Sequence, residues 1–251
     1  MVSLEEIAAI EQGARAYFTA LGDGDFDRLR ELSTGELSSL ATLLETLDSA
    51  FKDVGVLRPV EATLDGLEVV SVTTDEATVN VKGTMKETYF DEKRRRSRDL
   101  DTDITGPVIL TRTSPWRVVD YTRDGVSVRD SLSTKARGNE TRQGLAVTVK
   151  GVDVRPSGTV VVVGITNRSG LMASGNPPVL VAGARRFKTA FSGNVGYVDV
   201  KARSKATTGF FFPKGLGRRT KAFRFVMEFF LGCDPVCNAT ATFDFRVMLA
   251  G

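Results

Sequence analysis

Few residues in this chain have the type and spacing that chemistry needs. Cys233 and Cys237 stand four apart in CDPVC. That is too wide for a thioredoxin-type Cys-x-x-Cys pair, and no third or fourth ligand accompanies them for zinc. They form either a small disulfide or two thiols in a turn. Asp234-Pro235 between them favours a turn that brings them together, and loop closure over so short a span would contribute about 2 kcal/mol. An oxidised pair fits an extracytoplasmic setting. Histidine is absent, which removes the commonest general base and the commonest transition-metal ligand. Carboxylates are what remain for acid–base work. Strand alternation sets Glu87 and Tyr89 on one face with Val79, Val81 and Met85. A carboxylate there is either a buried acid or lies past the end of the core facing water, and the second is expected. Asp103 is the other candidate. No metal and no cofactor are expected.

Asp23, Asp25 and Asp27 alternate like the start of a calcium loop, but Arg28 stands where the loop needs Gly and Thr34 where it needs a bidentate Glu. The expected use is a turn and a helix N-cap, with acids favoured by the helix dipole. In KGLGRRTK, the cations Lys214, Arg218, Arg219 and Lys221 make a weak candidate anion site; the spacing is not that of a phosphate-binding loop, and a solvated turn is expected. DEKRRRSRD, residues 91–99, is flanked by acids and has no interleaved aromatic, so it reads as a solvated hairpin tip. Asn139, Asn167 and Asn238 begin N-x-Ser/Thr sequons, relevant only in a glycosylating pathway.

The elements that must position these residues differ between the halves. Ser3 and Glu6 have capping-box spacing, and Leu4, Ile7, Ala14, Phe18 and Leu21 then share a helical face that Gly22 should end. Ser33 and Glu36 repeat the capping spacing ahead of Leu37, Leu40, Leu44, Leu47 and Phe51, a third helix. Strands are expected at 67–73, 77–90, 100–113 and 116–121. The stretch 131–144 has almost no apolar residue and reads as a linker. From Leu145 onward seven short strands separated by Gly/Pro/Ser/Asn turns argue a β-sandwich. Within it Phe210, Phe211 and Phe212 are consecutive, so only alternate members can enter one core.

Charge follows the same division. Residues up to 143 carry 19 Lys+Arg against 26 Asp+Glu, 19 − 26 = −7, and residues from 144 carry 15 against 5, 15 − 5 = +10. The basic half would meet an anionic or acidic partner or stay solvated. No apolar run reaches the roughly 18 residues that cross a bilayer.

The segments ARAYFTALGDGDFDRL, DEATVNVKGTM and ILTRTSPWRVVDY make residues 1–130 resemble the nuclear transport factor 2-like (SnoaL-like) superfamily. The resemblance implies an α+β cone, with helices capping a curved antiparallel sheet and a pocket between them that Tyr17, Tyr89 and Trp116 would line. A small apolar ligand would suit it. Enzymes of that superfamily use an Asp or His base with Tyr or Asp donors, and no such pair falls on matching positions here. VVVVGITNRS and ATTGFFFPK make residues 145–251 resemble the immunoglobulin-like sandwiches of bacterial envelope lipoproteins, which implies an extracytoplasmic, non-enzymatic role. The expectation is therefore an α+β cone, a linker and a sandwich. Together they would form a non-catalytic binding or assembly module of a bacterial cell envelope, with a protein or envelope partner. Exposed sheet faces favour a homodimer. The rival is an isomerase- or cyclase-type enzyme using Glu87 or Asp103. A third reading, anionic-polymer or nucleic-acid binding through the basic half, is the least favoured.

Overall fold

The computed structural model describes residues 2–50, 58–91, 96–133, 136–189, 198–233 and 236–249. Helices α1 (Leu4–Asp23), α2 (Phe26–Glu31) and α3 (Glu36–Ala50) come first. Strands β1 (Arg58–Val72), β2 (Glu76–Asp91), β3 (Arg96–Asp103), β4 (Gly106–Thr111), β5 (Arg117–Arg123) and β6 (Val126–Ser127) follow, then α4 (Val128–Ser131). The remainder is strand: β7 (Leu132–Ser133), β8 (Asn139–Arg142), β9 (Leu145–Arg155), β10 (Gly158–Asn167), β11 (Ala173–Gly175), β12 (Val179–Ala182), β13 (Arg185–Lys188), β14 (Val198–Val200), β15 (Ser204–Phe212), β16 (Ala222–Leu231) and β17 (Ala239–Met248). Two compact units divide the chain. One comprises residues 1–45, 57–89 and 98–132, and the other 46–56, 90–97 and 133–251.

The expected class, an α+β chain with a cone-shaped N-terminal domain, is overturned. Among the described residues strands account for 56% and helices for 19%, and the strands form three antiparallel sheets. The reason lies in β1 and β2, 15 and 16 residues long, and in polar stretches that pair as strands instead of looping.

In the first unit the sheet order is β1-β2-β4-β5-β6, with β3 also on β2. Ser3 caps α1, its hydroxyl accepting the Glu6 amide at 3.1 Å. The buried stripe of α1 starts later than its periodicity implies: Ile10, Ala14, Tyr17, Phe18 and Leu21 are buried, whereas Leu4 is 84% exposed. Gly22 does not end the helix. The chain turns at Gly24, φ 67°, a left-handed conformation that glycine adopts without strain. Gly22 serves packing instead, because a Cβ there would lie 2.6 Å from the Ala62 backbone nitrogen. The second capping box also fails. The Ser33 hydroxyl donates back to the Leu29 carbonyl at 2.5 Å and so closes α2. Leu37, Leu40 and Leu44 of α3 are buried as expected, and Phe51 lies outside the described residues.

The second unit has two sandwich-like sheets. One is β15-β10-β9-β7 with β8 on β9, the other β13-β12-β16-β11-β14 with β17 on β16. Their inner faces make one core that includes Val161, Val163, Phe210, Phe225, Phe229 and Phe243. Alternation sorts the phenylalanine triplet. Phe210 and Phe212 enter this core, while Phe211 takes the opposite face, where its ring fills the space that a Cβ on Gly158 would need. The stretch read as a linker holds β8, paired with β9 from Asn139 to Arg142. It is further tied by Glu140 Oε2 accepting the Asp244 amide at 2.8 Å and by Gln143 Nε2 donating to the Thr240 carbonyl at 3.1 Å. It is polar because it is a largely exposed edge strand.

Candidate functional site

Glu87 lies in mid-sheet. β1 pairs Pro59 with Glu87 on one side, and β3 also pairs with β2. The strand runs on to Asp91, so Glu87 continues the buried face of Val79, Val81 and Met85 and is itself fully buried. The expectation of a water-facing carboxylate is overturned. Its Oε2 accepts the Thr102 hydroxyl at 2.9 Å. One residue along β3, alternation turns Asp103 to the surface. There its carboxylate accepts the Thr105 amide at 2.8 Å and its own amide donates to Asp124 at 2.9 Å. The two candidate acids therefore lie on opposite faces, one in the core and one locking a turn.

Tyr121 is in register with Val108 and, through it, with Val79, so it shares the buried face. Its ring lies 5.8 Å from Tyr17 and 5.3 Å from Phe18. Two residues on, Arg123 is buried, with Nη2 donating to Ser131 Oγ at 3.2 Å. Burial pushes the Tyr17 hydroxyl well above its ordinary pKa, and the neighbouring Tyr121 adds to this, with the Arg123 charge pulling weakly the other way. This face holds more polar groups than its apolar alternation implies. Thr102 and Arg123 could have been found by extending the strand periodicity to polar residues, whereas Ser131 arrives on α4.

Tyr17 packs against Phe18 and Tyr121 and is not among the residues that line the cleft at Trp116. Tyr89 is on β2, with its side chain outside the described residues. Trp116 helps line a cleft of about 360 Å³ with Ala9, Gln12, Gly13 and Ala16 of α1, Arg28 of α2, Leu32, and the turn Thr113-Ser114-Pro115. The absence of a Cβ at Gly13 lets α1 approach the Trp116 carbonyl, which a Cβ would meet at 3.2 Å. Arg112 stacks 5.1 Å from the indole centroid and pairs with Glu6. Arg28 is held by Glu31 at 2.7 Å. The lining offers donors and acceptors in Gln12, Thr113 and Ser114 beside an apolar wall, and it includes no carboxylate, thiol or lysine.

Cys233 and Cys237 form a disulfide. Lys214, Arg218, Arg219 and Lys221 are all exposed on the turn from β15 to β16, which is pinned from below by buried Leu216, whose amide donates to Thr159 at 2.8 Å. The acidic triplet serves helix ends: Asp25 accepts the Arg28 amide at 3.0 Å and Asp27 pairs with Arg30 at 2.5 Å. Among the described residues no group of three His, Cys, Asp or Glu is placed to hold a metal ion, and no helix is long and apolar enough to cross a membrane. Residues 92–95 of the basic hairpin tip lie outside the described residues.

Of the three sequons, Asn167 is the residue whose role composition hides. It is 1% exposed, and its amide nitrogen donates to the carbonyls of Leu171, Val200 and Lys201 at 2.8, 3.1 and 3.1 Å.

Comparison of the chain with known proteins finds no match among protein-family models, curated proteins or solved structures.

Proposed function

We propose that the chain is a non-catalytic binding module working outside the cytoplasm as part of a bacterial cell envelope. In this reading the cleft beside Trp116 takes a small ligand with an apolar body and a hydrogen-bonding end. The observation that carries the reading is the make-up of that cleft. It pairs an aromatic and aliphatic wall with neutral polar groups, the composition of a recognition site, and its one charged group, Arg28, is already engaged by Glu31. The candidate acids are occupied elsewhere, Glu87 in a buried bond and Asp103 in a turn. The disulfide supports an oxidising setting.

Trp116 is the chain's single tryptophan, so its fluorescence reports on the cleft directly. Titration with extracted envelope components should give a saturable change in emission that Ala9→Phe, which fills the cleft, abolishes. Native mass spectrometry of the same mixtures should show the bound mass leaving on denaturation. A bound species that persists in Ala9→Phe would remove the cleft as the site. Turnover of the bound species that Glu87→Gln stops would replace the binding reading with an enzymatic one.

A further inference from the structure

Several turns are locked together at one end of the second unit. Asn167 joins the 168–172 loop to the 201–203 turn through the three carbonyls named above, and its Oδ1 accepts the Ser169 amide at 2.9 Å. The Arg203 amide donates to the Ser169 carbonyl at 3.2 Å, that of Gly232 to Met172 at 2.8 Å, and that of Arg168 to Gly144 at 2.8 Å. The Cys233–Cys237 bridge closes the neighbouring loop. The result is a preorganised platform built from separate stretches of chain.

Large apolar side chains stand at the surface of these turns. Leu171 is 38% exposed, Met172 46% and Val236 77%, and beside them Arg168, Lys201 and Arg203 are exposed cations. Asp199, exposed two residues before Lys201 and accepting the Ser174 hydroxyl at 2.6 Å, sets one negative charge against the three. Large exposed apolar side chains on the same linked turns as exposed cations match a partner that is anionic at its surface and apolar just beneath. We propose that this end of the second unit docks on an anionic phospholipid bilayer. Val236 and Met172 enter the boundary between headgroups and acyl chains, and Arg168, Lys201 and Arg203 meet the phosphates. An acidic polypeptide fits less well, because an extended chain or helix is normally held by a sheet edge or a groove, and these apolar groups sit on loop tips. The net charge of +10 over residues 144–251 favours approach to the same surface.

The test is co-sedimentation of the whole chain with phosphatidylglycerol–phosphatidylcholine vesicles and with phosphatidylcholine vesicles. Binding is expected only to the first and should weaken as salt rises. Val236→Asp and Met172→Asp should each weaken it about tenfold or more. Arg168→Gln and Lys201→Gln should each weaken it about fivefold, with Arg168→Lys restoring it. All five variants should keep the parent thermal midpoint, since the substituted side chains are exposed. Equal binding to neutral vesicles, no vesicle binding, or Val236→Asp binding like the parent would overturn the proposal. Binding to soluble polyglutamate without binding to vesicles would overturn it in favour of an acidic polypeptide.

Discussion

The Thr102 hydroxyl donates to Glu87 Oε2 across 2.9 Å at a place where neither residue is exposed. A hydrogen bond to a charged or chargeable group in the interior contributes more than one at the surface. Thr102→Val keeps the shape and removes the donor. It should lower the free energy of unfolding by about 2 kcal/mol, measured by urea denaturation. A loss below about 0.5 kcal/mol, the size of an ordinary surface substitution, would show that the bond carries little.

Gly22→Ala tests the approach of α1 to β1. In an exposed helix interior the change stabilises by about 1 kcal/mol. Here the new Cβ meets the Ala62 nitrogen at 2.6 Å, so the substitution should destabilise by about 1–3 kcal/mol. The sign alone decides, and a raised melting temperature would mean the two elements are not held so close.

Tyr17 predicts an alkaline limit. Its hydroxyl titrates above the ordinary tyrosine value when folded, chiefly through burial, with Tyr121 contributing. The unfolded chain then ionises first as pH rises. The stability this difference supplies is complete below about pH 10 and is lost as pH climbs through the folded value. Tyr17→Phe should flatten the stability–pH curve above about pH 10 without altering its neutral region through titration. A parent and variant that lose stability in parallel above that pH would contradict the assignment.

Asn167→Ala removes the amide that holds the Leu171, Val200 and Lys201 carbonyls. One of these bonds is buried and two are part-buried, so the cost should be about 2 kcal/mol. Limited proteolysis should then cut within residues 168–172 before the rest of the chain opens. In a glycosylating host, Asn167 of the parent should stay unmodified because its amide is buried and committed.

Local signals in the sequence were enough for local structure. Ser3 and Glu6 announce the start of α1, and its hydroxyl does cap that turn. The alternation of AFRFVMEFFL announces a strand with one core face, and Phe223, Phe225, Met227, Phe229 and Leu231 are the buried set. These features depend on residues within a few positions of one another, where periodicity and capping chemistry operate.

What depended on distant chain was settled only by tertiary structure. Gly22 reads as a helix end until Ala62 is beside it. Residues 139–142 read as linker until β9 supplies an edge to pair with. Glu87 reads as a carboxylate past the core until β1 and β3 extend the sheet on either side of it. Asn167 reads as a glycan acceptor until the 201–203 turn arrives to take its protons. In each case the residue's own chemistry permits two states, water-facing or paired, and the partner that selects one comes from elsewhere in the chain. Composition and periodicity determined which segments form helices and strands, while the choice between solvent and partner for each polar group was made by the packing.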